Sequence, residues 1–281
     1  MVFQTIGEHV VNQNQAVTNQ TYTIGIREQI IRANSHLNKD TVDLLAEMYR
    51  ADELYGTQSD QPVTLNKLPR ILIEQGATMN WLMRSHSVKR SLEIGFAYGF
   101  STIWMLDALR ARRNALHVAI DPYELSLWHG VGLTQVKRLA SGVRFEWIDN
   151  FSIHAMSDLI RKNEQFDFIF IDGNHKFDDV IVDFYLSNRL LGPGGLVAFD
   201  DMWMNSVRSA TNFIVNNLPC EIVPQPVENM LVLRKTGYDT RDWRHFNTFE
   251  VLGSSDFSEP EPPSAMANSI MRLHRVFGKS T

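Results

Sequence analysis

The stretch FDFIFIDGNHKFDDVIVDF, Phe166 to Phe184, decides the architecture. Its first six residues form a run of strand length, apolar but for Asp167, that stops abruptly at Asp172 and Gly173. Beyond Asn174, His175 and Lys176 a helical stretch begins. A strand whose apolar residues run consecutively, rather than alternating, suits burial on both faces of a sheet. From about residue 91 the same unit recurs: SLEIG, LHVAID, VRFEWID and GGLVAFD are short apolar runs with helical lengths between them. That alternation predicts a doubly wound parallel sheet. CEIVPQP and NMLVLRK follow with only a few residues between them, too few for a crossover helix, so they predict an antiparallel hairpin. The expected fold is α/β: seven strands, mostly parallel, with the hairpin last.

The flanks read differently. REQIIRANSHLNKDTVDLLAEMYRADELYG and LPRILIEQGATMNWLMRSH space their apolar residues by three and four, so residues 1–80 are expected to be a helical extension without a strong strand. This extension suits a lid over a substrate or a dimer contact. Residues 81–236 hold the sheet domain. Residues 237–281 are a tail in which SSDFSEPEPPS reads as a linker or surface loop, and ANSIMRLHRVFG as a short helix.

Composition excludes several classes of function. The 281 residues are 44% hydrophobic and 21% charged with net charge -5, which offers no basic face to nucleic acid or to an anionic membrane. No apolar run approaches the roughly 20 residues of a membrane span. A single cysteine excludes an intrachain disulfide and fits a reducing compartment. The opening MVFQTIGEHVVNQNQ has no cationic segment before an apolar core, so a cytoplasmic location is expected.

The strands end in acids: Asp121, Asp149, Asp172, then Asp200 with Asp201, while Glu93 lies two residues before the first turn. In open parallel sheets these ends line the ligand crevice, so the series marks a site. In LEIGFAYGFST, Gly95 permits a sharp turn off the strand, Gly99 admits a ligand to the backbone, and Ser101 or Thr102 can cap the next helix. A tight turn alone would use the same glycines. The G-x-x-x-G spacing after a carboxylate is not a dinucleotide fingerprint, which needs G-x-G-x-x-G around a pyrophosphate. Asp121 suits a ribose diol, since a carboxylate accepts two hydroxyl hydrogens; capping a turn with Pro122 is its bland role. Asp178, Asp179 and Asp183 read as the solvated side of a helix. Trp203, and likewise Trp128 with His129, suit either a gate over a substrate or simple packing.

LEIGFAYGFST, AIDPYE, FDFIFIDGNHKFDDV and LLGPGGLVAFDDMW together resemble the successive motifs of class I S-adenosylmethionine-dependent methyltransferases. The likeness is to the Rossmann-like small-molecule O-methyltransferases of the catechol and caffeoyl-CoA type and their I-D-G-x-H bacterial relatives, over residues 70–235. The resemblance implies that Glu93, Gly95, Tyr98, Gly99 and Ser101 shape the methionine end of the cofactor, that Asp121 holds the ribose, and that Asp149 and Asn150 meet adenine, with Asp172 alongside. It further implies a divalent cation, Mg²⁺ by preference, on Asp172, Asp200 and Asp201. The family's base, usually lysine, falls at His175, with Lys176 the competing candidate. The implied partners are a small-molecule acceptor and a second copy of the chain.

Two other functions keep the fold. A histidine near carboxylates can hold Fe(II) in an oxygenase or hydroxylase, although the usual facial triad wants two histidines. A non-catalytic nucleoside-binding protein would use the same crevice.

Overall fold

In the computed structural model, which describes residues 25–249 except positions 59, 67, 68 and 140, the N-terminal part is helical. It comprises α1 (Ile26–Ala33), α2 (Lys39–Arg50), the two-residue strands β1 (Glu53–Leu54) and β2 (Val63–Thr64), and α3 (Ile73–Ser85). β1 and β2 form a short antiparallel pair in this region, where no strong strand is expected. A two-residue pairing is too short to leave a periodic signal. Residues 1–24, the expected linker and the expected tail helix lie outside the described residues.

The sheet domain continues with β3 (Arg90–Ile94), α4 (Phe100–Leu109), β4 (Leu116–Ile120), α5 (Val131–Arg138), β5 (Arg144–Ile148) and α6 (Ser152–Arg161). Then come β6 (Phe166–Ile171), α7 (Phe177–Leu190), β7 (Leu191–Phe199), α8 (Asn205–Asn217), β8 (Cys220–Ile222) and β9 (Leu231–Lys235). Seven strands lie in the order β5-β4-β3-β6-β7-β9-β8. The first five are parallel, and β9 pairs antiparallel with both β7 and β8. The sheet therefore has the predicted composition. After β5 the chain returns to the far side of β3, so the crevice between β3 and β6 is the topological switch point where ligands of such sheets bind.

Single strands show why both faces are covered. In β6, Phe168 and Phe170 enter one core cluster while Ile169 and Ile171 enter the other. Leu196 and Ala198 of β7 join the first, Val197 and Phe199 the second. Period-two alternation thus feeds two apolar layers, each burying the large side chains that dominate folding energy.

The N-terminal helices share the first cluster: Leu45, Met48, Met79 and Leu82 pack with Trp104 of α4, whose ten residues are all buried. A Cβ on Gly76 would lie 2.4 Å from the Trp104 ring, so glycine is what lets α3 approach α4. Polar bonds reinforce the contact. Asp107 of α4 accepts from the Asn38 backbone and amide (3.1 and 2.9 Å), the Thr41 hydroxyl (2.7 Å) and the Asn80 amide (3.1 Å), and pairs with Arg84 at 2.6 Å. Burial pushes the Asp107 carboxyl up, but these bonds outweigh it and hold the group below its ordinary value.

Candidate functional site

The site begins at the turn off β3. Gly95 has φ +91°, and a Cβ there would lie 2.1 Å from the carbonyl oxygen of Asp172. No larger residue fits where β3 and β6 run side by side. Gly99, at φ +79°, precedes the first turn of α4 as its N-cap residue. Ser101 and Thr102 do not cap that helix. Their hydroxyls both donate to Glu93, which is fully buried and also lies 3.3 Å from the ring Nε2 of His117. Glu93 thereby ties β3 to the start of α4 beneath the glycine turn.

Asp121, at the end of β4, accepts the backbone N–H groups of Phe96 (3.0 Å) and Ala97 (2.9 Å) on one oxygen and of Tyr123 (2.8 Å) on the other. Burial pushes its carboxyl up, against those three donors. The carboxylate is thus fixed facing a cavity of about 650 Å³ that runs across the ends of β4, β3, β6 and β7. The size suits a nucleoside-sized ligand with room for a second molecule.

At the other end of this cavity, Asp172, His175 and Asp201 each offer a ligand atom, all within 4.8 Å of one another. His175 Nε2 is 3.0 Å from Asp201 Oδ2 and 3.4 Å from Asp172 Oδ1. Burial pushes the imidazole down, but its bonds to the two carboxylates reverse this and carry it up to about 10. The same bonds hold Asp201 below its ordinary value against its burial. Asp172, more deeply enclosed, is raised by burial despite the imidazole. Asp200 points elsewhere: its Oδ1 accepts from the Gln75 amide, the Asn229 amide (3.3 Å) and the Asp201 N–H (2.7 Å). Burial and the neighbouring Asp172 and Asp201 raise its carboxyl.

Of the residues singled out from sequence, Gly95, Ser101, Asp121, Asp172, His175, Asp200 and Asp201 line this one cavity. Glu93 and Gly99 stand behind the lining. Tyr98 is buried in the core, its ring edge-on to Trp128 at 5.2 Å and its hydroxyl accepting the Asn66 N–H. Asp149 and Asn150 are not in the wall; the next two residues, Phe151 and Ser152, are. Asp183 departs from the expected solvated face. It is 3% exposed, lines the cavity, bonds the Ser152 hydroxyl and is pushed up to about 6 by burial. Lys176 is exposed at the start of α7, outside the lining. Trp128 and Trp203 both reach the cavity wall, and the Trp203 indole donates to Asp201 (2.8 Å).

A family model described as a methyltransferase domain matches residues 92–202, the span from the Glu93 strand to the Asp200–Asp201 turn. Over that span the chain is similar to a methyltransferase domain. Its curated relatives include caffeoyl-CoA O-methyltransferase 2 of Zea mays, 28% identical over 48% of this chain and 50% of the relative. They also include a flavonoid 3',5'-methyltransferase of Vitis vinifera, 22% identical over 50% of this chain and 59% of the relative. The chain spans between half and two thirds of the length of the curated relatives it matches. Among solved structures, an O-methyltransferase from Bacillus cereus in complex with S-adenosylhomocysteine superposes with TM-score 0.54 at 18% identity, over 74% of this chain and 96% of that one. At that identity the match shows the fold.

Outside the matched span, the structure adds wall residues that motif reading passed over. Pro69 to Leu72 and Gln75 come from the N-terminal layer, and Asn229 from the β8–β9 loop. Gln75 left one faint trace in the sequence, a glutamine three residues beyond a helix start. It accepts the Leu72 N–H at 2.7 Å, as such a glutamine does. Among the described residues no helix is long and apolar enough to cross a membrane.

Proposed function

We propose that this chain is an S-adenosylmethionine-dependent O-methyltransferase acting on a small-molecule hydroxyl with the help of a divalent cation. The observation that carries the proposal is that one cavity joins the Gly95 turn and Asp121 at one end to the Asp172, His175 and Asp201 cluster at the other. The chemistry needs a donor and an acceptor held end to end, and holding them in line supplies much of the rate.

The donor end fits a nucleoside. Asp121 offers its remaining lone pairs to vicinal hydroxyls, Phe151 gives a flat apolar wall, and the glycine turn lets a ligand meet backbone. Among the described residues, the wall on this side carries no cluster of cations to suit a pyrophosphate.

The acceptor end fits a divalent cation by its donor chemistry. Two carboxylates point at one place and draw the positive charge of an imidazole to it, so hard oxygen ligands stand ready for a metal. Asp172 and Asp201 would hold the ion, with Asp200 beside them; such an ion lowers the pKa of a bound hydroxyl. His175 is the group placed to take the acceptor's proton once a cation on Asp172 and Asp201 has released the proton those carboxylates hold on its ring. Trp203, Met204, Ile71 and Leu72 give the acceptor end an apolar wall. An iron oxygenase is disfavoured because the cluster contains one histidine.

Calorimetric titration with S-adenosylhomocysteine, after chelation and again with Mg²⁺ or Mn²⁺, tests both ends. Binding that Asp121→Ala abolishes supports the donor site, and metal heat that Asp172→Asn removes supports the cation. Absence of S-adenosylhomocysteine binding in every condition overturns the assignment.

A further inference from the structure

We infer that Gln75, on a helix of the N-terminal layer, is a positioning residue for the strand-end pair Asp200–Asp201 and so completes the acceptor-side centre. The inference rests on the reading of that centre as a cation site.

Gln75 is 2% exposed, and both ends of its amide are committed. Oε1 accepts the Leu72 N–H at 2.7 Å, which leaves only the NH₂ to face Asp200. A flipped amide would set a carbonyl oxygen against a carboxylate and strand the Leu72 N–H, so the orientation is fixed by bonding. The donor therefore points at Asp200 Oδ1 from a layer 125 residues away in sequence. Asn229 donates to the same oxygen at 3.3 Å, reaches Asp201 Oδ1 at 3.5 Å, and accepts the Trp203 N–H on its own oxygen at 3.2 Å; its backbone carbonyl also lies 3.4 Å from the Gln75 amide.

What this grip holds is a strained turn. Asp201 has φ +54°, a left-handed backbone that costs a non-glycine residue about 1 kcal/mol or more and persists only when its surroundings impose it. Asp200 Oδ1 imposes it by accepting the Asp201 N–H at 2.7 Å. The turn in its place aims Asp201 Oδ2 at His175 and the cluster. The path runs from Gln75 to Asp200, from Asp200 to the Asp201 backbone, and from there to the ligand atom. Partners that orient metal ligands from behind change affinity by about 10–100-fold when removed. The helix bearing Gln75 follows directly on Pro69–Leu72, which wall the acceptor end, so the layer that encloses the acceptor also sets the carboxylates.

The test compares the full chain with Gln75→Leu, titrating Mn²⁺ by electron paramagnetic resonance, S-adenosylhomocysteine by calorimetry, and melting each protein. Mn²⁺ affinity should fall at least about tenfold while S-adenosylhomocysteine affinity stays within about twofold. Asn229→Ala, in a loop, should reproduce the split where Gln75→Leu folds poorly. Unchanged Mn²⁺ affinity in both variants overturns the inference, as does a parallel loss of Mn²⁺ and S-adenosylhomocysteine binding, which is what general loosening would give. A wild-type chain that binds no Mn²⁺ overturns the cation reading itself and the inference with it; retained wild-type binding with an unaffected variant overturns the inference alone.

Discussion

Replacing Glu93 with alanine should cost both stability and cofactor affinity, and the structure sets the size of each. The carboxylate is fully buried and serves three groups: the Ser101 hydroxyl, the Thr102 hydroxyl and the His117 ring at 3.3 Å. A buried polar group left without its partner costs about 1–3 kcal/mol. The two hydroxyls can partly recover by bonding backbone carbonyls three or four residues back, just before α4, whereas His117 keeps only the Ser91 hydroxyl at 2.7 Å. The loss from Glu93→Ala is therefore about 3–5 kcal/mol, a large share of the 5–15 kcal/mol typical of a folded protein. At about 2–4 °C per kcal/mol for a chain of this size, the melting temperature should drop by on the order of 10 °C. Glu93→Gln keeps one acceptor oxygen and can turn its NH₂ to a hydroxyl, so it should lose about 1–2 kcal/mol. Because Glu93 anchors the start of α4 under the glycine turn, S-adenosylhomocysteine affinity should fall in the same order, Ala more than Gln. Thermal denaturation and calorimetric titration of the three proteins give both readings. A melting temperature for Glu93→Ala within about 2 °C of wild type would refute the reasoning.

Three further outcomes follow from single residues. Gly95→Ala places a methyl 2.1 Å from the Asp172 carbonyl at φ +91°, and should cost about 2–4 kcal/mol in denaturant unfolding together with S-adenosylhomocysteine binding; a variant that retains both sinks the steric argument. Asp107→Ala strands Arg84 and the three other side chains that meet there, and should lose about 3–5 kcal/mol in the same assay, with the wild-type advantage present above pH 4 and vanishing as acid protonates the carboxyl. Glu124 is fully buried with one oxygen lacking a donor, and burial pushes it up to about 8 from 4.5. The folded chain therefore holds an extra proton between those values and loses stability as pH rises through them. Glu124→Gln should remove that slope and gain on wild type by on the order of 3 kcal/mol between pH 5 and 8, and parallel pH profiles would refute it.

The sheet was legible because its central strands are buried on both faces, which writes them as short, mostly apolar runs, and because polarity returns abruptly where each strand meets the crevice. Asp121, Asp172, Asp200 and Asp201 could be placed for that reason alone. Asp183 could not. With Asp178 and Asp179 it reads as a solvated helix face, and only the seating of α7 against the first turn of α6, where Ser152 bonds it, turns it inward. Gln75 and Asn229 were out of reach for a similar reason: their partners lie 125 and 29 residues away, and no local pattern encodes a bond across that distance.

His175 shows where motif and environment must be read together. The resemblance implies a lysine, as a rule, three residues after the fourth-strand acid, and an unperturbed ammonium titrates near 10.4, well above neutral pH. An imidazole is charged there only because Asp172 and Asp201 stand at 3.4 and 3.0 Å. Its proton is thus held by the two carboxylates that a cation would also seek, so whatever neutralises Asp172 and Asp201 also weakens the hold on that proton. A lysine-to-histidine change that looks like a swap of one base for another therefore ties the charge at position 175 to the occupancy of the strand ends, and the sequence alone, which shows the imidazole but not its two neighbours, could not have revealed that dependence.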